Sequence, residues 1–402
     1  MDTRSQGKKI HCAPLAACPG GRTDFGKLIN NPRMGGFRTP CDRDDRCRFF
    51  RDLRFARKGT RCGGAQGPES GLGRRFLSCG WGPEKYLGDG EKVILVTGGA
   101  GTMGRRLAVS LLGRGETVRV LCLPGDPAAQ GLADLGAEIA HADITRPESL
   151  PAALAGARVV FHLAAVLLSP GREGVFQAVN SEGTRNLVRA AEAAGAGHFI
   201  YVSSISVAYP RGNAYARSKL EGESWVKAAK IPFTIVRPTL AYEDGGAAEF
   251  QAFVGHLRKG PVVWLPRGGR ARKNPVHVDD LAAGFLVLPG NRIAFGKTYV
   301  FSGGASLTLL DMARALLAHM GRPKPVLGIP AWLCLLAIAA SRAWSLISRR
   351  PPAFTWQTYT GLVQDADFDS AAAHADLGYA PRAFAEGLNS LTSLHGSLRK
   401  AE

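Results

Sequence analysis

Tyr215 and Lys219 stand four residues apart in NAYARSKLEGE, a helix-forming stretch. That spacing puts both side chains on one helix face, one turn apart. A phenol with a pKa near ~10 is a poor proton carrier at neutral pH, and a neighbouring ammonium favours its ionised form. The pair is suited to moving a proton on and off an oxygen, as an alcohol–ketone interconversion requires. Alone, a Tyr and a Lys at this spacing are an ordinary surface pair. Ser203 and Ser204 change the weight. They close the apolar run in HFIYVSSISV, just ahead of the Tyr215 helix. A hydroxyl there can hydrogen-bond the reacting oxygen and hold it against Tyr215.

Hydride chemistry needs a cofactor, and KVILVTGGAGTMG offers a place for one. An apolar run ends in Thr97. Gly98, Gly101 and Gly104 follow at G-x-x-G-x-x-G spacing, with Thr102 and Met103 opening a helical pattern. A strand feeding a glycine turn into a helix lets the backbone approach a pyrophosphate, which the free N–H groups of the helix start then bind. A tight turn without a ligand is the plainer alternative. The strand before and the helix after favour a nucleotide.

These groups need a scaffold that brings strand ends together. From Lys92 onward, strand-like runs alternate with helical patterns. The strands fall at Lys92–Val96, Thr117–Leu121, Glu138–His141, Arg158–Leu163, His198–Val202 and Phe233–Val236. The helices fall near Arg105–Arg114, Pro147–Leu154, Val175–Ala194 and Ala214–Ala229. Near-continuous apolar strands alternating with helices predict an α/β fold, a doubly wound Rossmann-type parallel sheet with its ligand at the carboxyl ends of the strands. After Pro238 the alternation loosens. We read 91–238 as the NAD(P)-binding portion and 239–395 as a smaller substrate-binding portion that returns elements to the sheet. The later elements are a short strand into a helix over Val276–Leu286, a strand at Thr298–Phe301 and an amphipathic helix at Leu307–Met320. The second strand ends in Cys122-Leu123-Pro124. It has neither the acid that favours NAD nor the Arg that favours NADP; Asp126, Arg105 and Arg106 are the substitutes nearby.

The net charge of +18 over 402 residues resembles a nucleic-acid signature until it is divided. Residues 1–90 hold 18 Lys and Arg against 9 Asp and Glu, half of the excess in under a quarter of the chain. That segment shows no sustained periodicity. We read it as a disordered basic extension, or as a misassigned start. Its arginines are dispersed, with no stacking or base-reading groups among them, so no nucleic-acid partner is expected. Six of the eight cysteines lie there without zinc-like spacing; only Cys122 and Cys334 lie beyond. The remainder reads as a reduced, cytoplasmic protein with no metal site. Pro330–Ile347 is the most apolar stretch. Prolines interrupt it and it is short for a bilayer span, so a core or lid helix is expected ahead of a membrane contact. Arg342, Arg349 and Arg350 keep peripheral membrane association through 330–347 open.

Taken together, TGGAGTMG, HADITRPESL, VVFHLAA, VNSEGTRNLVRAA, FIYVSSISV, YARSK, VRPTLAY, NPVHVDDLA and LGYAPRAFAEGL resemble an extended short-chain dehydrogenase/reductase of the NAD-dependent epimerase/dehydratase kind. FIYVSSISVA followed by YARSK is most similar to the 3β-hydroxysteroid and sterol-carboxylate dehydrogenase branch. The resemblance implies NAD or NADP as cofactor and a small-molecule substrate. It aligns Ser204 with the catalytic serine, Tyr215 with the acid–base and Lys219 with the ribose-binding lysine. It puts Gly98, Gly101, Thr102, Met103 and Gly104 at the phosphates and Asp143 with Ile144 near the adenine. Ala164 and Ala165 line the dinucleotide, and Pro238 flanks the nicotinamide. A homodimer is compatible with it. One departure stands out: only ten residues separate Ser204 from Tyr215, where the family usually carries a longer loop.

The expected activity is hydride transfer at a secondary alcohol or ketone, with a 3β-hydroxy sterol or terpenoid-like substrate favoured. A nucleotide-sugar epimerase or dehydratase is the alternative, with Arg267, Arg270, Arg272 and Lys273 as a diphosphate clamp; otherwise these form a solvated loop. A non-catalytic nucleotide-binding subunit is the third reading. His162 is read as a core residue, His277, Asp279 and Asp280 as a structural strand–helix junction, and Asn180 as an ordering group.

Overall fold

The computed structural model describes residues 93–167, 173–210, 212–349, 352 and 354–391. The extension expected over 1–90 lies outside the described residues. The first half of the chain builds strand by strand: β1 (Val93–Thr97), α1 (Thr102–Gly113), β2 (Thr117–Cys122), α2 (Ala128–Ala133), β3 (Glu138–His141), α3 (Leu150–Leu154) and β4 (Ala157–His162). A helical turn at Gly174–Phe176 runs through a π-helical turn, Gln177–Glu182, into α4 (Gly183–Ala193). Then follow β5 (His198–Val202), α5 (Ala214–Lys227) and β6 (Phe233–Pro238).

β1 and β5 are buried at every residue, which explains why their sequences lack alternation. The sheet has seven strands in the order β11-β6-β5-β4-β1-β2-β3, with β11 formed by Thr298–Phe301. All its pairings are parallel. Successive strands leave β1 in one direction as β2 and β3, and in the other as β4, β5 and β6. The switch falls between β1 and β4, where Thr97 lies opposite His162. That is where a doubly wound sheet opens a crevice at its carboxyl edge.

Beyond β6 the elements are β7 (Ala241–Tyr242), α6 (Ala248–Arg258), β8 (Val263–Pro266), β9 (Arg272–Lys273), β10 (Val276–His277) and α7 (Val278–Phe285). After β11 come β12 (Leu307–Thr308), α8 (Leu309–His319), β13 (Val326–Ile329), α9 (Ala331–Ser348), α10 (Trp356–Val363), α11 (Ala371–Leu377) and α12 (Phe384–Leu388). Three two-stranded sheets, β7–β10, β9–β12 and β8–β13, fasten this part together. A second core of Tyr242, Phe250, Phe253, Leu257, Met312 and Leu316 fills it. α6 was not anticipated. Its apolar residues Phe250, Phe253, Val254 and Leu257 do follow the i, i+3, i+4, i+7 pattern, behind a Gly245–Gly246 break.

One expectation is corrected. The apolar 330–347 stretch is helical, but it is neither a core helix nor a covered lid. Cys334 is its only fully buried residue, and Trp344 and Leu346 are 66 % and 81 % exposed. Apolarity in a sequence shows that a segment avoids water; it does not show that the rest of the same chain covers it.

Candidate active site

The glycine turn joins β1 to α1 and is built without spare room. Gly98 has φ of +71°, and a Cβ on it would stand 2.7 Å from the Ala164 nitrogen. On Gly104 a Cβ would stand 2.2 Å from the Gly98 carbonyl oxygen. The Gly101 N–H closes the turn onto that same carbonyl at 3.0 Å. α1 opens with no side-chain cap and no acid in its first turn, so its first N–H groups and positive dipole end are offered to an anion. The backbone therefore fits a pyrophosphate. Thr102, in that first turn, accepts a hydrogen bond from the Ala247 N–H at 3.1 Å. This ties the turn to the start of α6. Met103 packs against the core beside it.

Across the switch point, Thr97 Oγ1 sits 2.7 Å from His162 Nδ1 and accepts from the Ala164 N–H at 3.2 Å. His162 Nε2 meets Thr184 Oγ1 at 2.9 Å. With both ring nitrogens engaged and burial holding its pKa well below the usual value, His162 is a neutral core residue that fixes the β1–β4 edge. Ala164 and Ala165 lie just beyond it, half-buried, with the Ala164 backbone against Gly98. Asn180, on the π-helical turn, accepts from the Val166 N–H at 2.8 Å and donates to Ser218 Oγ at 3.1 Å. It links the segment after β4 to the Tyr215 helix. The sequence predicts an uninterrupted helix here; the extra residue of the π turn aims Asn180 inward.

At the end of β3, Asp143 turns its carboxylate into its own loop, accepting from the Thr145 N–H and hydroxyl at 2.9 and 2.8 Å. Ile144 is buried against Gly183. Pro238 is buried at the end of β6, opposite Phe301. β2 ends as its sequence reads. Arg106 is engaged by Asp279 at 3.1 Å, and Asp126 caps the turn before α2 through the Ala128 N–H.

Ser204 and Tyr215 come together, and Lys219 lies one turn further along the Tyr215 helix. Asn213 caps α5 by accepting from the Ala216 N–H at 2.8 Å, which starts the helix one residue before Tyr215. Ser204 follows β5, and its hydroxyl lies close enough to that of Tyr215 to draw the phenol's pKa down. It also accepts from the Ser206 N–H at 3.2 Å and the Ser206 hydroxyl at 3.0 Å. Phe176 meets the Tyr215 ring edge-on, with centroids 6.2 Å apart.

The electrostatics differ from the expectation in one respect. Lys219 donates to the Val202 carbonyl at 2.8 Å and lies over the Tyr201 ring, 4.2 Å from its centroid. It is only 1 % exposed. Burial lowers its pKa to about 7, against the opposing pull of Glu223. Burial also raises the Tyr215 pKa, the Ser204 hydroxyl works the other way, and the Glu249 carboxylate adds to the rise. In this arrangement desolvation outweighs any help from the ammonium, and Tyr215 is protonated at neutral pH.

Sequence reasoning missed the group behind the site. Glu223, fully buried, accepts from Ser203 Oγ at 2.7 Å. Arg237 on β6 reaches it with two hydrogen bonds, 2.8 Å from Nε and 2.6 Å from Nη2. These donors hold its carboxyl below the ordinary carboxylate value despite burial. Glu223 lies four residues past Lys219 and eight past Tyr215, so one helix face carries all three; that spacing was the available signal.

The lesser candidates are structural. His277 caps α7 through the Asp279 N–H at 3.2 Å and meets Ser390 at 3.0 Å; Asp280 pairs with Arg382 at 2.9 Å. Arg272 is bound to Asp367 at 2.7 Å, and Lys273 donates to the Gly361 and Gln364 carbonyls. Arg267 and Arg270 are exposed. Among the described residues no group of three or more His, Cys, Asp or Glu is placed to hold a metal.

A parallel doubly wound sheet, a glycine turn fitted to a pyrophosphate and a Ser–Tyr–Lys cluster at the carboxyl edge define an oxidoreductase of the extended short-chain dehydrogenase/reductase type, with NAD or NADP as its cofactor. Comparison with known proteins agrees. Residues 94–300 match the NAD dependent epimerase/dehydratase family, and the chain belongs to it. A ceramide reductase of Caulobacter vibrioides is 32 % identical over 274 residues, covering 66 % of this chain and 82 % of that one. A 3 beta-hydroxysteroid dehydrogenase/Delta 5→4-isomerase of Mycobacterium tuberculosis is 28 % identical over 330 residues, covering 72 % and 86 %. Among solved structures, gox2253 superposes with a TM-score of 0.62 at 28 % identity, over 75 % of this chain and 97 % of its own.

Proposed function

We propose that the protein transfers hydride at a secondary alcohol or ketone carbon of an apolar substrate of the sterol or lipid kind. The observation that carries this reading is the Ser204–Tyr215 hydroxyl pair at the carboxyl end of β5, on a helix whose next turn buries Lys219. The nicotinamide, when bound, supplies or accepts the hydride. Tyr215 gives its proton to the carbonyl oxygen in the reducing direction and takes it back in the oxidising one. Its raised pKa keeps that proton in place at neutral pH, which suits a donor. Ser204 hydrogen-bonds the same oxygen and sets its distance from Tyr215. Lys219 holds the ribose. Gly98, Gly101, Thr102, Met103 and Gly104 receive the phosphates, Asp143 and Ile144 border the adenine, Ala164 and Ala165 line the dinucleotide, and Pro238 flanks the nicotinamide.

Support for an apolar substrate comes from Phe176, which packs on the ring of Tyr215. The relatives named for ceramide and a 3 beta-hydroxysteroid point the same way. A sugar-nucleotide substrate loses two of the four residues of its expected clamp, since Arg272 and Lys273 hold the 361–367 segment instead.

The test incubates the full chain with oxidised or reduced NAD and NADP. It pairs each cofactor with 3β-hydroxy sterols, long-chain keto lipids and nucleotide sugars, and follows nicotinamide absorbance and product mass. Net absorbance change with a sterol or lipid, lost in Tyr215→Phe while cofactor binding persists, is the expected result. Sugar conversion without net absorbance change would overturn the reading in favour of an epimerase or dehydratase. Cofactor binding with no turnover on any panel, unaffected by Tyr215→Phe, would favour the non-catalytic subunit.

A further inference from the structure

The side of α9 that meets the protein is its polar side. The residues at least half covered, Cys334, Ile338, Ser341, Ser345 and Ser348, recur every three to four positions and form one narrow stripe. The rest of the circumference faces outward. There Trp332, Leu336, Trp344, Leu346 and Ile347 are 59–81 % exposed. A helix resting on a protein in water does the reverse, hiding leucine and showing serine. Among the described residues this is the one long helix of membrane-like apolarity, with a mean hydropathy of 1.5 and only 6 % of its residues buried. A second exposed apolar pair lies on β8 and on β13, the strand that leads into the helix. Trp264 on β8 and Leu327 on β13 lie opposite each other and are nearly half exposed. Exposed contiguous apolar surface of this kind marks a binding face.

Charge indicates what covers it. Between Asp311 and Asp365 the sequence has no Asp or Glu and six Arg or Lys. Arg342 and Arg349, on and just past the helix, are exposed. Cations rimming an apolar face with tryptophans fit an anionic lipid headgroup layer over acyl chains. A second copy of the chain fits worse. It would bring like charges together with no carboxylate in the segment to offset them.

The attachment of both helix ends determines how the helix meets the lipid. β13, just before it, pairs with β8. Just after it, the Phe354 N–H donates to Ser341 Oγ at 3.1 Å, and Lys273 holds the end of α10. The chain leaves and returns on one side. At ~1.5 Å per residue the helix is about 27 Å long, short of a hydrocarbon core, and Arg342 sits inside it. We propose that α9, with Trp264 and Leu327, seats the protein on an anionic membrane surface, the helix lying in the plane of the lipid interface. This stands apart from the assignment of the reaction.

Flotation of the full chain with two kinds of vesicle tests it: phosphatidylcholine alone, and phosphatidylcholine with about one-third phosphatidylglycerol. The chain is expected to float with the mixed vesicles, weakly with the neutral ones, and to be released by alkaline carbonate. Each arginine neutralised is worth about fivefold in partition, so Arg342→Gln with Arg349→Gln lowers it roughly 25-fold. Trp344→Ser with Leu346→Ser abolishes flotation while cofactor binding is retained, which separates lost docking from lost folding. Failure to bind mixed vesicles overturns the proposal. So do equal binding to both vesicles, resistance to carbonate, and a dimer in solution that ignores vesicles and dissociates in the Trp344→Ser, Leu346→Ser variant.

Discussion

Glu223→Gln is the most informative single substitution. In the native arrangement one carboxylate oxygen accepts from Ser203 and from Arg237 Nε, and the other accepts from Arg237 Nη2 and faces Lys227 at 3.5 Å. An amide can keep one of these oxygens. Its NH2 must then point at an existing donor, and the Arg237 charge loses its counter-charge in a site where Glu223 has no exposure. Breaking a buried pair costs about 3–5 kcal/mol. Arg237 is still 23 % exposed, and water there relieves part of the loss. We therefore take the low end, about 3 kcal/mol, or a fall in Tm of roughly 4–5 °C. Thermal unfolding of the full chain measures it. Arg237→Met should show a similar loss, and the double variant should cost about 2 kcal/mol less than the two singles together. The pH dependence has a fixed sign. The folded pKa of Glu223 lies below its ordinary 4.5, so its stabilisation is present above that value and is lost as the pH falls through the folded pKa. Wild type and Glu223→Gln should converge in acid. A fall in Tm under about 2 °C, or strict additivity of the two singles, would refute the reasoning.

Three further outcomes follow from the site. Gly104→Ala drives a Cβ into the Gly98 carbonyl, and dinucleotide affinity by fluorescence titration should fall about 10–100-fold. Ser204→Ala should lower kcat by roughly 10–100-fold with little change in KM; because the Ser204 hydroxyl draws the Tyr215 pKa down, any alkaline limb in the pH–rate profile should move up. Lys219 has its pKa lowered from 10.5 to about 7, so burying its charge costs stability below pH 7, and that cost is relieved as pH rises from about 7 to 10.5. Lys219→Met should remove this rise, which is of the order of a few kcal/mol by denaturant unfolding.

What could be read from the sequence was what is local. The glycine turn is a sequence of adjacent residues between a strand and a helix, and its φ requirement at Gly98 falls on a glycine. Tyr215 and Lys219 share a helix face through spacing alone. The central strands of the sheet, β1, β4 and β5, were legible because burial on both faces leaves them largely apolar. Glu223 and Arg237 were not legible as a pair, since they meet across a helix and a strand, and a charged residue in a helix ordinarily faces water. Nor did Lys219 show its bond to the Val202 carbonyl, which depends on how α5 lies against β5. α6 was overlooked where two glycines interrupted the pattern. The 330–347 stretch was misread because periodicity reports which residues avoid water, while the stripe that meets the protein is set by the attachment of the helix ends.

The last strand of the sheet has a consequence for synthesis. β11 supplies the edge beside β6, but it lies some sixty residues further along the chain. Until Thr298–Phe301 has left the ribosome, β6 has an open hydrogen-bonding edge and nothing to pair with it. A nascent chain halted in that interval would present a sticky, half-finished sheet, the sort of surface on which chaperones act and aggregates begin. Mutations that weaken β11 should thus reduce yield in the cell well before they alter the purified enzyme.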